Sequence, residues 1–531
     1  MNSGLWAAVS PASAGRLGLT MLLFLFSACV PLKAAEPDEA AVLAARIDAA
    51  IQARWQERGV VPTAAASDAE FLRRVSLHIG GCIPEVATTR RFLSDSSPGK
   101  RRQLVDHLLD SAGYVVNFSH FWRKAMLPEA GADRQAAQYG PGFEAWLRQE
   151  LTDNTPYDEL VRSILAASPA ADRRARDTAG VAAFWQSRQN EAPELATATA
   201  RVFLGVRIDC AQCHDHPFDT WKQDDFWSMA AFFTGIRFTA AAFEGTEFRG
   251  PTIAIPDQDR TATATFLDGT RPDWAADTST SEVMAEWVTS RGNPYFARAT
   301  VNRLWGYFFG RGLVDPVDDF SAANPASHPE LLDLLAEEFV AHQYDLKFLI
   351  RAITASQAYQ LSSVQSDPAQ NDPQLFAVMP VQWLSPEQIS DSFALATGTR
   401  RQFAPYRGLI YIQSGGSGTL ESLFGEDGRS PTEREVTILQ ALALMNGNDT
   451  TQATNLGTSR TLAAVADAPF LNNGQKIETL FLAALSRLPT DRERERLTAY
   501  VESGGPALEP HKALEDVFWS LLNSSEFLLN H

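Results

Sequence analysis

The chain has 531 residues, 45% of them hydrophobic and 21% charged, which is ordinary composition for a globular protein. A formal net charge of -18 excludes the basic face that a nucleic-acid partner needs. Only 4 cysteines are present, one of them inside an apolar N-terminal stretch, so a disulfide scaffold is excluded as well.

Residues 1–35 read as a targeting segment. Arg16 flanks the apolar run from Leu17 to Phe26, and the small residues Ser27, Ala28, Ala34 and Ala35 follow. This is the layout of a secretory signal. Pro31 and Lys33 interrupt the run too early for a membrane span. Phe26-Ser27-Ala28-Cys29 also resembles a lipobox, which would leave a lipid tether on Cys29; cleavage near Ala34 or Ala35 is the other reading. Both place the chain outside the cytoplasm, in the periplasm, on the cell envelope or secreted.

Apolar residues at three-and-four spacing predict helices over 39–58, 68–80, 100–112, 142–151, 157–166, 192–205, 224–234, 280–290 and 294–308. Further helices are expected over 329–342, 346–356, 385–396, 432–445, 474–486, 490–503 and 511–522. Ser327 is expected to cap the first of these, with Pro329 in its first turn and Glu330 completing the box. Thr432 and Glu435 repeat that pattern. Between 236 and 270, Thr, Phe and Ile alternate with Gly and Pro breaks, which predicts short strands or an extended insertion. Gln413 to Gly418 is glycine-rich but lacks the Gly-Lys-Ser/Thr ending of a phosphate cradle and reads as a mobile loop.

The expected fold is mainly α, a multi-helix two-domain protein. A lead-in at 36–64 precedes a first domain at 65–240, an extended insertion or linker at 241–280 and a second helical domain at 281–531. A weak echo links the ends. Ile83-Pro84 and Leu108-Leu109-Asp110-Ser111, then Tyr114 and Asn117, match Leu488-Pro489 and Leu521-Leu522-Asn523-Ser524, then Phe527 and Asn530. Duplication of a three-helix unit and chance likeness of amphipathic helices both account for it.

Cys210-Ala211-Gln212-Cys213-His214 has the spacing of covalent haem c attachment. Two thiols one turn apart can add across the haem vinyl groups, and the next imidazole meets the iron. Zinc or another transition metal is the alternative, held by Cys210, Cys213 and His216 with His214 or Asp219. A redox dithiol or a structural disulfide would use the same cysteines. Phe218, Trp221, Phe226, Trp227, Phe232 and Phe233 either wall a flat cofactor or are ordinary core. Met229, His78, His107, His120, His328 and His342 are the candidates for a second axial ligand. Arg298, Asn302, Arg303, Asp318, Asp319 and His328, with Arg311 and Asp315, form either a substrate pocket or the ion pairs and caps of a helix–loop–helix.

The segment from Asp209 to Asp219, followed by Trp221, Gln223 and Asp225, resembles the signature of a large planctomycete-type secreted family that joins two adjoining domains of unknown function. Asn293 to Ala299, Val301 to Trp305, Phe309 to Val314, Asp318 to Phe320, Ser327 to Asp333 and Ser356 to Tyr359 resemble its second domain. Larger members carry a cytochrome-c-like domain upstream. The resemblance implies export and a two-domain layout, in a family without a settled activity. The leading expectation is an exported haem-c-like redox protein. A non-haem metalloenzyme and a non-catalytic envelope protein are the rivals, with envelope redox or polysaccharide-processing partners.

Overall fold

The computed structural model describes residues 38–132, 136–167, 178–234, 250–275, 279–399, 403–406, 409–412 and 454–531. The N-terminal signal, the glycine-rich 413–418 and the helix expected over 432–445 lie outside them.

The protein is mainly α-helical. Helix α1 spans Glu39–Arg58 and buries Leu43, Ile47, Ile51 and Trp55 along one stripe. Four helices follow: α2 (Asp68–Gly80), α3 (Val86–Ser94), α4 (Lys100–Leu109) and α5 (Ala112–Met126). Next come α6 (Gly140–Thr152), α7 (Tyr157–Ala166), α8 (Ala192–Thr199) and α9 (Gln223–Ala230). The extended insertion is realised, among its described residues, as an antiparallel hairpin in which Thr252–Ala254 (β1) pairs with Thr261–Thr263 (β2).

Helices α10 (Thr280–Val288), α11 (Phe296–Phe309), α12 (Pro329–Ala341) and α13 (Leu346–Ala355) complete the larger core. That core runs continuously from Ala40 to Met379. The cap of α12 departs from the sequence reading. His328, not Ser327, takes the N-cap position at φ -135°, without a side-chain cap bond. Pro329 at the first helical position forces its predecessor out of the helical region, which shifts the boundary by one residue.

A second core gathers α14 (Pro386–Thr397), α15 (Arg460–Ala466), α16 (Asn473–Leu485), α17 (Asp491–Ser503) and α18 (Pro510–Leu522). Strand β3 (Gln382–Trp383) precedes it and pairs with the terminal strand Leu529–Asn530. A separate antiparallel pair joins Phe403–Tyr406 to Leu409–Ile412. Leu77 and Ile83, from the α2 end of the chain, pack into this second core.

The echo corresponds to repeated local geometry. Helices α2 and α16 both end in a left-handed residue, Gly81 at φ 75° and Ser486 at φ 59°. Pro84 and Pro489 each stand directly before the N-cap of the next helix, Glu85 and Thr490. Helices α4 and α18 close on Asp110 (φ -93°, ψ 3°) and Asn523 (φ -96°, ψ 5°). Ser111 and Ser524 then cap the next helical turns by accepting from the backbone N–H of Tyr114 and Phe527. The match is partial, since Glu85 makes no side-chain cap bond whereas Thr490 closes a capping box, and duplication and chance likeness both account for it.

Candidate functional site

The Cys-x-x-Cys-His segment is presented at the surface by a rigid underlay. Helix α8 passes into a π-turn over Ala200–Leu204, which Gly205 ends at φ 70°. A Cβ at Gly205 would lie 2.7 Å from the Phe320 ring, so only glycine fits there. Ile208 and Ala211 are buried and anchor a 3₁₀ turn over Asp209–Gln212, while Cys210, Cys213 and His214 face solvent. The turn's carbonyls are tied to α9: Trp227 Nε1 donates to Gln212 at 3.0 Å and Gln223 Nε2 to Cys213 at 2.9 Å. From the β hairpin, Arg260 grips Asp224 at 2.7 Å and Gln223 at 3.1 Å, bracing that helix start.

Hydrogen bonding distinguishes the two histidines. His214 Nδ1 lies 2.8 Å from the carbonyl oxygen of Asp215. A carbonyl can only accept, so Nδ1 carries the proton and Nε2 of the neutral ring presents a lone pair. His216 Nδ1 instead accepts from the backbone N–H of Phe218 at 3.3 Å, which leaves its proton on Nε2. His214 is therefore the one prepared to ligate through Nε2.

Cys210 and Cys213 are free thiols. The zinc reading finds no assembled site: among the described residues no group of three or more His, Cys, Asp or Glu side chains is placed to hold a metal. Asp219 accepts from the N–H of its neighbour Thr220 at 2.7 Å. The aromatics resolve as core rather than as a cofactor wall. Phe226, Trp227, Phe232 and Phe233 are buried, and Phe232 stacks on Phe266 with centroids 4.8 Å apart. Trp221 is half-buried, and only Phe218, 84% exposed, stands clear of the core beside the turn. Met229 is fully buried. The donor set of two free thiols and an oriented imidazole thus fits thioether attachment, without an apolar slot built around it.

The second polar cluster disperses into structural roles. Arg298 pairs with Asp333. Buried Asn302 accepts from Val314 N at 2.9 Å and donates to Val314 O at 2.8 Å, fixing the loop after α11. A Cβ on Gly312 would lie 2.2 Å from Val314 O, so this loop needs glycine too. Arg303 donates to the carbonyls of Arg201 and Val202 in the π-turn, at 3.3 and 3.5 Å. Asp318 accepts from Arg207 at 3.0 Å, and the Asp319 carbonyl accepts from Asn324. His328 is buried against Phe376, and burial, with the Arg54 charge second, pushes its pKa down to about 4.

Arg303 and Asp318 do line a cleft of about 480 Å³, together with residues that no spacing in the sequence singles out. His78, from α2, is 3% exposed; its Nδ1 meets the Tyr359 hydroxyl at 2.9 Å. A hydrogen bond with the Gln382 side chain favours the protonated ring. Burial, followed by the Arg74 charge, nonetheless holds His78 neutral, with a pKa of about 3. Burial also lowers His120. Opposing the upward push of burial, Lys124 at 3.0 Å holds Glu387 down at about 2. Two further ion pairs line it: Arg311 with Asp315 at 3.3 Å, and Arg207 with Asp318.

The fold and the turn define a mainly helical protein that displays a buttressed Cys-x-x-Cys-His segment at its surface. Residues 46–238 match the family model described as PSCyt2, a protein of unknown function (DUF1549), and residues 281–407 match that of PSD1, a protein of unknown function (DUF1553). The chain carries these two domains side by side, the first containing the cysteine turn and the second helix α11. No curated protein and no solved structure matches the chain.

Proposed function

We propose that this is an exported redox protein that carries haem c on Cys210 and Cys213, with His214 Nε2 as the iron ligand. The observation that carries the reading is the His214 tautomer: the Asp215 carbonyl directs the imidazole lone pair outward from a turn whose two thiols are free and exposed. Bound haem would supply one-electron transfer at the surface. The chain's own residues hold the attachment turn: Gln223 and Trp227 fix its carbonyls, and Ala211 anchors it to the core. The bond from the Phe218 N–H to His216 Nδ1 favours the tautomer with the proton on Nε2, which makes His214 the better-prepared proximal ligand. The N-terminal apolar run supports export, which haem c attachment requires, and an envelope electron donor or acceptor is the implied partner.

Expression with a cytochrome c maturation system, followed by a haem-stained denaturing gel and a pyridine haemochrome spectrum, tests this. Covalent haem lost on Cys210→Ala plus Cys213→Ala is expected. A colourless protein that is exported and folded would remove the proposal. Intact mass of the same material, lacking at least the first 28 residues, tests export.

A further inference from the structure

We propose that the cleft between α5, α11 and β3 binds a neutral, polyhydroxylated ligand of the saccharide class, independently of what the cysteine turn carries. Charge comes first. The lining carries four cations, Lys124, Arg207, Arg303 and Arg311, and four carboxylates, Asp315, Asp318, Glu387 and Asp391. Three of the cations are ion-paired within it, Lys124 with Glu387, Arg207 with Asp318 and Arg311 with Asp315, and a charged ligand would upset that balance. The lining therefore selects against net charge.

Hydrogen-bonding capacity comes second. Asn530 Oδ1 and Arg303 Nε, both on cleft-lining residues, are buried polar atoms without a hydrogen-bond partner. Asn530 Oδ1 is an acceptor and Arg303 Nε a donor. Asn530 is only 4% exposed, so its oxygen does not turn freely into bulk water. Unsatisfied atoms of both signs at the edge of one cavity call for groups that donate and accept at once, as hydroxyls do.

The walls come third. Phe121 and Tyr307 have centroids 4.8 Å apart, and Tyr307 is locked by donating to the His78 carbonyl at 2.7 Å while accepting from Asn117 at 2.9 Å. Trp383 lines the cleft, half-buried, from β3. Aromatic faces beside hydrogen-bonding groups suit a ring with apolar C–H faces and a hydroxylated rim. The volume of about 480 Å³ lies within the range of small-molecule sites.

The test is saturation-transfer difference NMR on the exported full chain with cellobiose, maltose and chitobiose as probes, beside glucuronate, phosphate and adenosine. At least one neutral disaccharide should give a signal, and the charged probes none. Trp383→Ala should weaken that binding at least about tenfold, equal to about 1.4 kcal/mol. Val317→Trp, which fills the cleft from its rim, should abolish it while circular dichroism stays native. Silence from every disaccharide overturns the proposal. So does binding that survives both folded variants, or a response to adenosine or the anions alone. Haem content measured in parallel separates this outcome from the fate of the cysteine turn.

Discussion

Arg73 Nη2 donates to the backbone carbonyl of Phe527 at 2.8 Å, across 454 positions of chain. The same guanidinium reaches the carbonyls of Ala484, Glu526 and Leu529 at 3.2, 3.0 and 3.3 Å. One side chain from the first helical repeat thus satisfies the end of the second. Arg73 is 1% exposed, and burial lowers its pKa to about 10, so the cation is retained at neutral pH. Removing it takes the donor from the buried carbonyls of Ala484 and Phe527. Arg73→Met should destabilise the protein by about 3 kcal/mol or more in urea unfolding. Arg73→Lys should recover only part of that, because an ammonium cannot span the same fan of acceptors. A loss below about 1 kcal/mol would show that these bonds do not hold the two repeats together.

The repeated caps make a paired prediction. Ser111 Oγ accepts from Tyr114 N at 3.3 Å, and Ser524 Oγ from Phe527 N at 3.2 Å. Ser111→Ala and Ser524→Ala should each cost about 1 kcal/mol, by the same mechanism. The check is chemical denaturation of both single variants and the double variant. Strongly unequal losses would mean that the two caps are not equivalent in energy, whatever their geometry.

Helix positions were largely readable because each helix buries a continuous apolar stripe. Helices α1, α2 and α7 span the ranges that periodicity assigns to them. Helix α5 escaped that list although its buried Tyr114, Phe118, Trp122 and Met126 recur at every fourth position, a helical stripe like those of its neighbours. Helix α15 has seven residues, too few for a periodic window. The cysteine turn was legible because its chemistry is local in sequence. The cleft was not, since His78, Arg303, Glu387 and Asn530 meet only through long-range packing. The positions of Arg303, Arg311, Asp315 and Asp318 carried the hint of it.

Two buried histidines set an acid limit on stability. His78 and His328 have folded pKa values of about 3 and about 4, against 6.5 for the free ring. Below pH 6.5 the unfolded chain binds protons that the folded chain refuses, so stability is lost as pH falls from 6.5 toward those lower values. At pH 4.5 each ring accounts for about 2 to 3 kcal/mol of loss. His120 and His531 shift in the same direction. Glu387, at about 2 when folded, adds its own loss only below its ordinary value of 4.5. Urea unfolding at pH 6.5, 5.5 and 4.5 should therefore show a steady decline that His78→Gln makes shallower. A flat profile over that interval would refute the assignment.

The cysteine turn gives the last prediction, because exposure and chemistry can be read on the same atoms. Cys210 and Cys213 are exposed and unpaired, whereas Cys82 is half-buried. In chain produced in the cytoplasm from residue 36 onward, without haem attachment, a maleimide should label two thiols rapidly in the native state and Cys82 more slowly. Because those two side chains sit in solvent above the anchor Ala211, Cys210→Ser and Cys213→Ser should each change stability by no more than about 0.5 kcal/mol. A larger loss would make the pair a structural staple. Chain matured with haem should label at neither position and gain the mass of one haem. If both thiols are blocked without that mass and are freed by dithiothreitol, the turn is a dithiol switch instead. The histidines then decide between ligands. His214→Ala should alter the iron's axial ligation spectrum, and His216→Ala should leave it nearly unchanged, since only His214 holds its proton on the nitrogen facing the Asp215 carbonyl. Equal effects from both would point to joint coordination of a non-haem metal.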